Sequence, residues 1–347
     1  MAQQVIKGVS LLLRRLSINM NISSGNTRSI KCHKGFTLVE IFISLAVGLA
    51  LFSGVVSVFV SIKTTTVETS TYGELQENGR FALSIISEDL LKQNFFGDFS
   101  GNLDVSILNA VPDAPLIECK GEGLNNGTFP MAIGHFRTLW GKTVTDKSVM
   151  ECIDDAKKNA DIIQIKRAIA APLTSTSNNN YYIVSNLSQA EIFTGTNIPN
   201  LANSQVWQYQ HHVYYIKEEK QGSNKVPVLM QGRLTKAMTF DPIADGIELI
   251  RFMYGIDTDV PGSSGYGSAN VFLSANNMTS TQWEHGNNNR IIAVRIYVLA
   301  RSILPDNKYL NTNTYRLGDR SFTFKDHYRR LLFNSTVTLY NAGVDSW

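Results

Sequence analysis

The familiar signatures of catalysis are missing from this 347-residue sequence. It has no Gly-x-Ser-x-Gly nucleophile elbow and no glycine-rich phosphate loop. It also has neither a Cys-x-x-Cys nor a His-Glu-x-x-His metal motif. The sequence therefore predicts a protein that is not an enzyme and that holds no cofactor.

Acidic residues are absent from the first 35 positions, which contain six lysines and arginines. The whole chain has a formal charge of +3, so the rest of it carries −3. Because that remainder has no stripe of basic residues, direct nucleic-acid binding is not expected. A basic N-terminus ahead of an apolar run is instead typical of a segment that stays in the cytoplasm.

Cysteine is scarce, with three residues in the chain. Cys32 lies in the basic segment, whereas Cys119 and Cys152 lie in the body. If the body is exported, the simplest expectation is one disulfide, which the chain-entropy model values at roughly 3–4 kcal/mol. The alternative is two unpaired buried thiols.

Charge is also nearly absent from Phe36–Ile62, where Glu40 is the only ionisable residue. The run is long enough to cross a bilayer, with the N-terminus inside and the body exported. A secretory signal fits poorly, because its apolar region is shorter and ends in small residues. A plain anchor leaves the costly carboxylate of Glu40 unexplained, unless it is merely tolerated near the interface.

No proline interrupts 36–96, and apolar residues continue at helical spacing beyond the apolar run. We expect one helix over Phe36–Phe96, with 36–62 apolar on all sides and 63–96 amphipathic. Gly97 is the expected stop.

The remainder, 97–347, is predicted to be one exported α+β domain with an antiparallel sheet against the helix. Adjacent His211 and His212 should point to opposite faces of a strand and play structural roles. Strands are expected at Asp161–Ile169, Trp207–Tyr215, Ile291–Leu299 and Leu332–Tyr340, with polar loops at Ser175–Asn180 and Pro261–Asn270.

The string Lys34-Gly-Phe-Thr-Leu-Val-Glu40 resembles the cleavage and methylation signature of type IV prepilins and pseudopilins. The resemblance implies that residues 1–35 are a leader, which a prepilin peptidase removes between Gly35 and Phe36. Phe36 would then be N-methylated. Glu40, inside the apolar core of a fibre, would need a cation such as a neighbouring subunit's N-terminal ammonium. The leader is long for this family, and Met20 is a candidate true start.

Further stretches resemble PilW-type minor pilins, namely 74–83, 246–259, 290–302 and 326–341. The resemblance is weak between about 98 and 240. It implies a type IV pilin-like fold and a minor pilin, membrane-anchored before assembly, that primes pilus assembly at or near the tip. Adhesion, twitching motility and DNA uptake would follow downstream. Implied partners are other minor pilins, the major pilin, the inner-membrane assembly platform and a large tip adhesin.

Two alternatives remain open. A minor pseudopilin of a type II secretion system shares the helix and the approximate fold. A membrane-anchored periplasmic enzyme or binding protein would share only the anchor, and it would keep its leader.

One stretch weakly resembles a calcium loop. Asp257-Thr-Asp259-Val-Pro-Gly262 begins with the expected alternation of acids, but Pro261 replaces the third side-chain ligand. The alternative to calcium binding is a plain turn.

Overall fold

A computed structural model describes residues 35–101, 103–222 and 224–342. The predicted leader, including Met20 and Cys32, lies outside the described residues except for Gly35. The chain forms two compact units, and the boundary between them lies after Lys63.

The described residues form two α-helices, one 3-10 helix and thirteen strands. Helix α1 spans Leu38–Leu91, a 3-10 helix spans Ala275–Asn277 and α2 spans Ser280–Trp283. The strands are β1 (Leu139–Thr143), β2 (Asp161–Ala168), β3 (Tyr181–Ser185), β4 (Ala190–Thr194), β5 (Gln205–Gln221), β6 (Asn224–Leu234), β7 (Met238–Asp245), β8 (Ile247–Asp257), β9 (Val271–Ser274), β10 (Arg290–Arg301), β11 (Thr314–Leu317), β12 (Arg320–Thr323) and β13 (Arg330–Thr338).

In the first unit, the described residues belong almost entirely to the apolar part of α1. Large hydrophobic side chains are exposed all round this part of the helix, from Leu38 to Ile62. A helix that is apolar on every side needs an apolar environment, whether lipid or other helices. The prediction of a long N-terminal helix with an apolar first half is confirmed.

In the second unit, α1 is amphipathic. Its buried positions fall three or four residues apart and form one stripe: Leu75, Gly79, Ala82, Ile86 and Leu90. Gly79 allows the closest approach to the sheet, because a Cβ there would lie 2.2 Å from the ring of Phe333 on β13. This part of the helix therefore packs on an antiparallel sheet, as the α+β expectation required.

The helix ends at Leu91, five residues before the predicted end at Phe96. Asn94 adopts a left-handed backbone conformation (φ 59°), and its N–H donates to the carbonyl of Lys166 on β2. A left-handed residue near a helix end is a common terminator, and asparagine tolerates it better than most residues. The chain therefore leaves the helix before Gly97, where we expected the stop.

The largest sheet has seven antiparallel strands. Its order is β1-β2-β5-β3-β4, and β6 pairs with both β5 and β7. Strand β5 organises the sheet, since its first part pairs with β3, its middle with β2 and its second half with β6.

A second sheet of four antiparallel strands has the order β13-β10-β8-β9, and β11 and β12 form a separate hairpin. One cluster of buried apolar side chains includes Ile86 of α1, Ile163 of β2 and Val298 of β10. The helix and both larger sheets of the second unit therefore share a core. The predicted antiparallel sheet against the helix is confirmed, and the described residues form three such sheets in all.

Candidate functional site

The apolar part of α1 is the first candidate element for assembly. Among the described residues, α1 is the one helix long and apolar enough to cross a membrane, judged by length and composition. The stretch of α1 that is apolar enough to cross a membrane is wholly exposed in the described part of the protein. The helix therefore indicates membrane anchoring, and Thr37 separates Gly35 and Phe36 from its first residue, Leu38.

Glu40 closes a capping box at the start of α1. Its Oε2 accepts hydrogen bonds from the backbone N–H of Thr37 (2.8 Å) and from Thr37 Oγ1 (2.9 Å). In return, the N–H of Glu40 donates to Thr37 Oγ1 at 3.3 Å. This reciprocal pattern satisfies helix N–H groups that lack partners. We did not predict it, although Thr-x-x-Glu before an apolar run is its sequence signature.

Gly35 and Phe36 lie outside the helix, and both are exposed. An extended, accessible peptide bond is what a peptidase requires. Cleavage between them, methylation of Phe36 and the role of Glu40 in assembly stay predictions.

Asp89 is the centre of a buried polar network that joins α1 to the seven-stranded sheet. Its Oδ1 lies 2.5 Å from Nε of Arg167 on β2. Its Oδ2 lies 2.6 Å from Nδ1 of His212 and accepts from the hydroxyl of Tyr214 at 3.0 Å, both on β5. Gln231 on β6 donates in turn to that hydroxyl. The carboxylate thus joins α1 directly to β2 and β5, and Tyr214 extends the network to β6.

The electrostatics of this network favour the ionised carboxylate. Burial acts to raise the pKa of Asp89, but the opposing influence of His212 and Arg167 is stronger, and the pKa falls to about 2. Burial, reinforced by the charge of Asp89, raises the pKa of Tyr214, so its hydroxyl remains a donor. The network is therefore a charged clamp between helix and sheet.

A second buried ion pair connects the three sheets. Arg251 on β8 donates to Asp161 on β2 at 2.9 Å and to Asp319, between β11 and β12, at 2.8 Å. Asp161 also accepts from the hydroxyl of Thr143 on β1. Burial raises the pKa of Asp161, against the charge of Arg251. The network is structural in character, because each oxygen is committed to a protein donor.

The two body cysteines are joined as predicted. Cys119 and Cys152 form a disulfide across 33 residues, with their Cα atoms 5.0 Å apart. The bond closes the segment that precedes β2.

The adjacent histidines point to different partners. His211 Nδ1 lies 3.2 Å from the hydroxyl of Thr128, whereas His212 contacts Asp89. The structure confirms that they do not share a site. Among the described residues, no group of three or more histidine, cysteine, aspartate or glutamate side chains is placed to hold a metal ion.

The candidate calcium loop is held by contacts within the chain. Asp257 is fully buried and accepts from Arg290, from the N–H of Gly267 at 2.8 Å and from the N–H of Asp259 at 2.9 Å. Asp259 accepts from the side-chain amide of Asn270 at 2.9 Å. A guanidinium thus supplies the positive charge against Asp257. A plain turn without a metal stays our prediction for this loop, with calcium binding as the alternative.

Comparison with known proteins gives one match. No curated protein matches the chain, and no solved structure does. Residues 213–341, from the middle of β5 to just beyond β13, match the family model described as Type IV Pilus-assembly protein W, PilW. That family assembles pili and is not a known enzyme family. The match confirms the resemblance to PilW and supports the involvement of this chain in type IV pilus assembly.

Proposed function

We propose that this chain is a minor pilin that helps to prime type IV pilus assembly and is located at or near the pilus tip. The PilW match over 213–341 carries the proposal, because it covers the whole four-stranded sheet and, in the seven-stranded sheet, β6, β7 and the second half of β5. The chemistry of α1 supports it. The helix is apolar and exposed over its first part and packed on a sheet over its second, which suits a subunit that leaves the membrane for a fibre.

The proposed maturation follows from the N-terminal sequence. A prepilin peptidase cuts between Gly35 and Phe36 on the cytoplasmic side, and Phe36 becomes an N-methylated terminus. Glu40 then supplies the negative charge that pairs with an N-terminal ammonium within the fibre. Before assembly, the subunit spans the inner membrane once, with its body outside the cytoplasm.

The proposed partners are other minor pilins, the major pilin, the inner-membrane assembly platform and a large tip adhesin. The body has no proposed catalytic role. Its buried ion pairs hold α1 and the sheets together, which suits a subunit that must withstand tension in a fibre.

An in-frame gene deletion tests the function. We expect fewer surface pili and weaker twitching, both restored by the full-length gene supplied in trans. Normal piliation and normal motility in the deletion strain would overturn the proposal. Reduced secretion of exported enzymes with normal pili would favour the pseudopilin alternative.

Mass spectrometry of the mature N-terminus tests the maturation separately. We expect a chain that begins with N-methyl-phenylalanine at Phe36, and we expect Gly35→Ala to leave the leader in place. An intact leader on the wild-type protein would favour a membrane-anchored periplasmic protein of another class.

A further inference from the structure

Lys166 is a fully buried lysine with no carboxylate among its hydrogen-bond acceptors. Its Nζ donates to Oδ1 of Asn126 at 3.1 Å and to the backbone carbonyl of Arg137 at 2.8 Å. It also lies 4.4 Å from the centre of the Phe136 ring. The ring face attracts a cation, but a buried ammonium normally requires a carboxylate as well, and both hydrogen-bond acceptors here are neutral carbonyl oxygens, which favours the neutral amine.

The surroundings of Lys166 favour the unprotonated form. Burial lowers the pKa of its ammonium well below the ordinary lysine value. The negative charge of Glu118 opposes this shift, while the positive charge of Arg137 adds to it. A lysine amine freed of its proton is a nucleophile.

Asn126 presents its carboxamide to that amine in a fixed orientation. The side chain is fully buried, and its Nδ2 donates to the carbonyl of Glu122 at 2.8 Å. Gly121 permits this position, since a Cβ there would lie 2.1 Å from Asn126 Nδ2. The amine is therefore held within hydrogen-bond distance of Oδ1, one bond away from the carbonyl carbon Cγ.

Glu118 provides a proton carrier at the same place. Its Oε1 accepts the backbone N–H of Thr128, two residues from Asn126, and its charge acts on both Lys166 and Tyr209. A half-buried carboxyl group in this position can take a proton from one nitrogen and give it to another.

We propose that Lys166 and Asn126 form an intramolecular isopeptide bond, assisted by Glu118. The amine of Lys166 attacks Cγ of Asn126, and the new Nζ–Cγ bond replaces the Cγ–Nδ2 bond. One proton passes from Nζ to Nδ2 through the carboxyl group of Glu118, and ammonia leaves. Atoms and charge balance with no oxidant, reductant or other reactant.

The bond would tie β2 to the segment that the disulfide also closes. Asn126 lies between Cys119 and Cys152, and Lys166 lies on the strand that follows. The disulfide is lost under reducing conditions, whereas an amide cross-link survives them. The amide cross-link would therefore hold this segment to β2 even when the disulfide is reduced.

Mass spectrometry of the intact protein tests the proposal. The full-length protein is purified in detergent and reduced before its mass is measured. We expect the measured mass to be one ammonia below the mass calculated from the sequence. The calculation uses the mature N-terminus identified in a tryptic digest of the same sample. Trypsin should release a branched peptide that contains both Asn126 and Lys166. An unmodified mass, with Lys166 recovered in a linear peptide, would overturn the proposal.

Asn126-Gly127 also forms succinimides, which release one ammonia without a cross-link, so the lysine variant is the control. Lys166→Met should restore the full mass, whereas loss of ammonia that persists in this variant would overturn the proposal. If Lys166→Met does not fold, the presence or absence of the branched peptide in the wild-type digest still tests the proposal. Glu118→Gln should lower the yield of cross-link, whereas Glu151→Gln, at an exposed position of the same segment, should not. Equal yields would overturn the role of Glu118.

Discussion

At the scale of single residues, Asp89 illustrates how one buried carboxylate positions a helix. Its side chain contacts Arg167, His212 and Tyr214, which lie 78, 123 and 125 residues away in the sequence. No pattern in the sequence links such distant positions, so this network could not be predicted. Glu40 and Thr37 differ, because three residues separate them and the capping-box signature is legible in the sequence.

Substitution of Asp89 should be strongly destabilising. Asp89→Asn keeps the shape of the side chain but leaves Arg167 buried without a counter-charge. Breaking a buried pair in this way costs about 3–5 kcal/mol. We expect that loss in the free energy of unfolding, measured by urea denaturation of the full-length protein in detergent. The matched control is Glu88→Gln on the exposed face, which should change little; equal losses would contradict a clamp at Asp89.

The lowered pKa of Asp89 predicts how the stability of the protein depends on pH. The pKa of Asp89 is lowered from 3.8 to about 2 in the folded protein. A depressed carboxyl pKa stabilises the fold above the unfolded value, and that contribution disappears as the pH falls through the folded value. Between pH 4 and pH 2, the free energy of unfolding should therefore fall more steeply for the wild type than for Asp89→Asn. If the free energy of unfolding fell equally steeply in both proteins, Asp89 would not be the source of this pH dependence.

At the scale of elements, strand prediction succeeded where apolar periodicity was strong. Strands β2, β10 and β13 lie within two residues of their predicted ends. The polar end of β5, from Lys217 to Gln221, has no apolar periodicity, so it was missed. Strands β6 and β7 were missed as well. Pro227 and Pro242 lie within them, and Pro242 sits at a bulge on a strand with one neighbour, where proline is tolerated.

The contact between α1 and β13 gives a test of helix packing. A Cβ at Gly79 would meet the Phe333 ring, whereas Gly73 has open space around it. Gly79→Ala should therefore destabilise by about 1–3 kcal/mol through overpacking. Gly73→Ala should instead stabilise the helix by about 0.5–1 kcal/mol. Opposite shifts in the urea midpoint are expected, and shifts of the same sign would contradict this packing.

At the scale of the whole molecule, the described chain combines an apolar helical unit with a body held by buried ion pairs. Three buried carboxylates of the body, those of Asp89, Asp161 and Asp257, each have a basic side chain of the same chain against them. The apolar unit is different, since its exposed side chains require lipid or other helices. Association with other subunits should therefore depend chiefly on α1 before Lys63.

Glu40 has two possible roles within that unit, and two variants separate them. If its carboxylate only caps α1, then Thr37→Ala and Glu40→Gln should each impair incorporation into pili only slightly. Thr37→Ala removes one half of the capping box, whereas the amide oxygen of glutamine can still accept the N–H of residue 37, as Gln282 does for Thr279 in α2. If the charge also pairs with an N-terminal ammonium in the fibre, Glu40→Gln leaves that cation unpaired in an apolar core and should largely abolish incorporation. We expect the second result, measured by immunoblot of sheared pili against the membrane fraction. Equal, mild defects in both variants would reduce Glu40 to a helix cap.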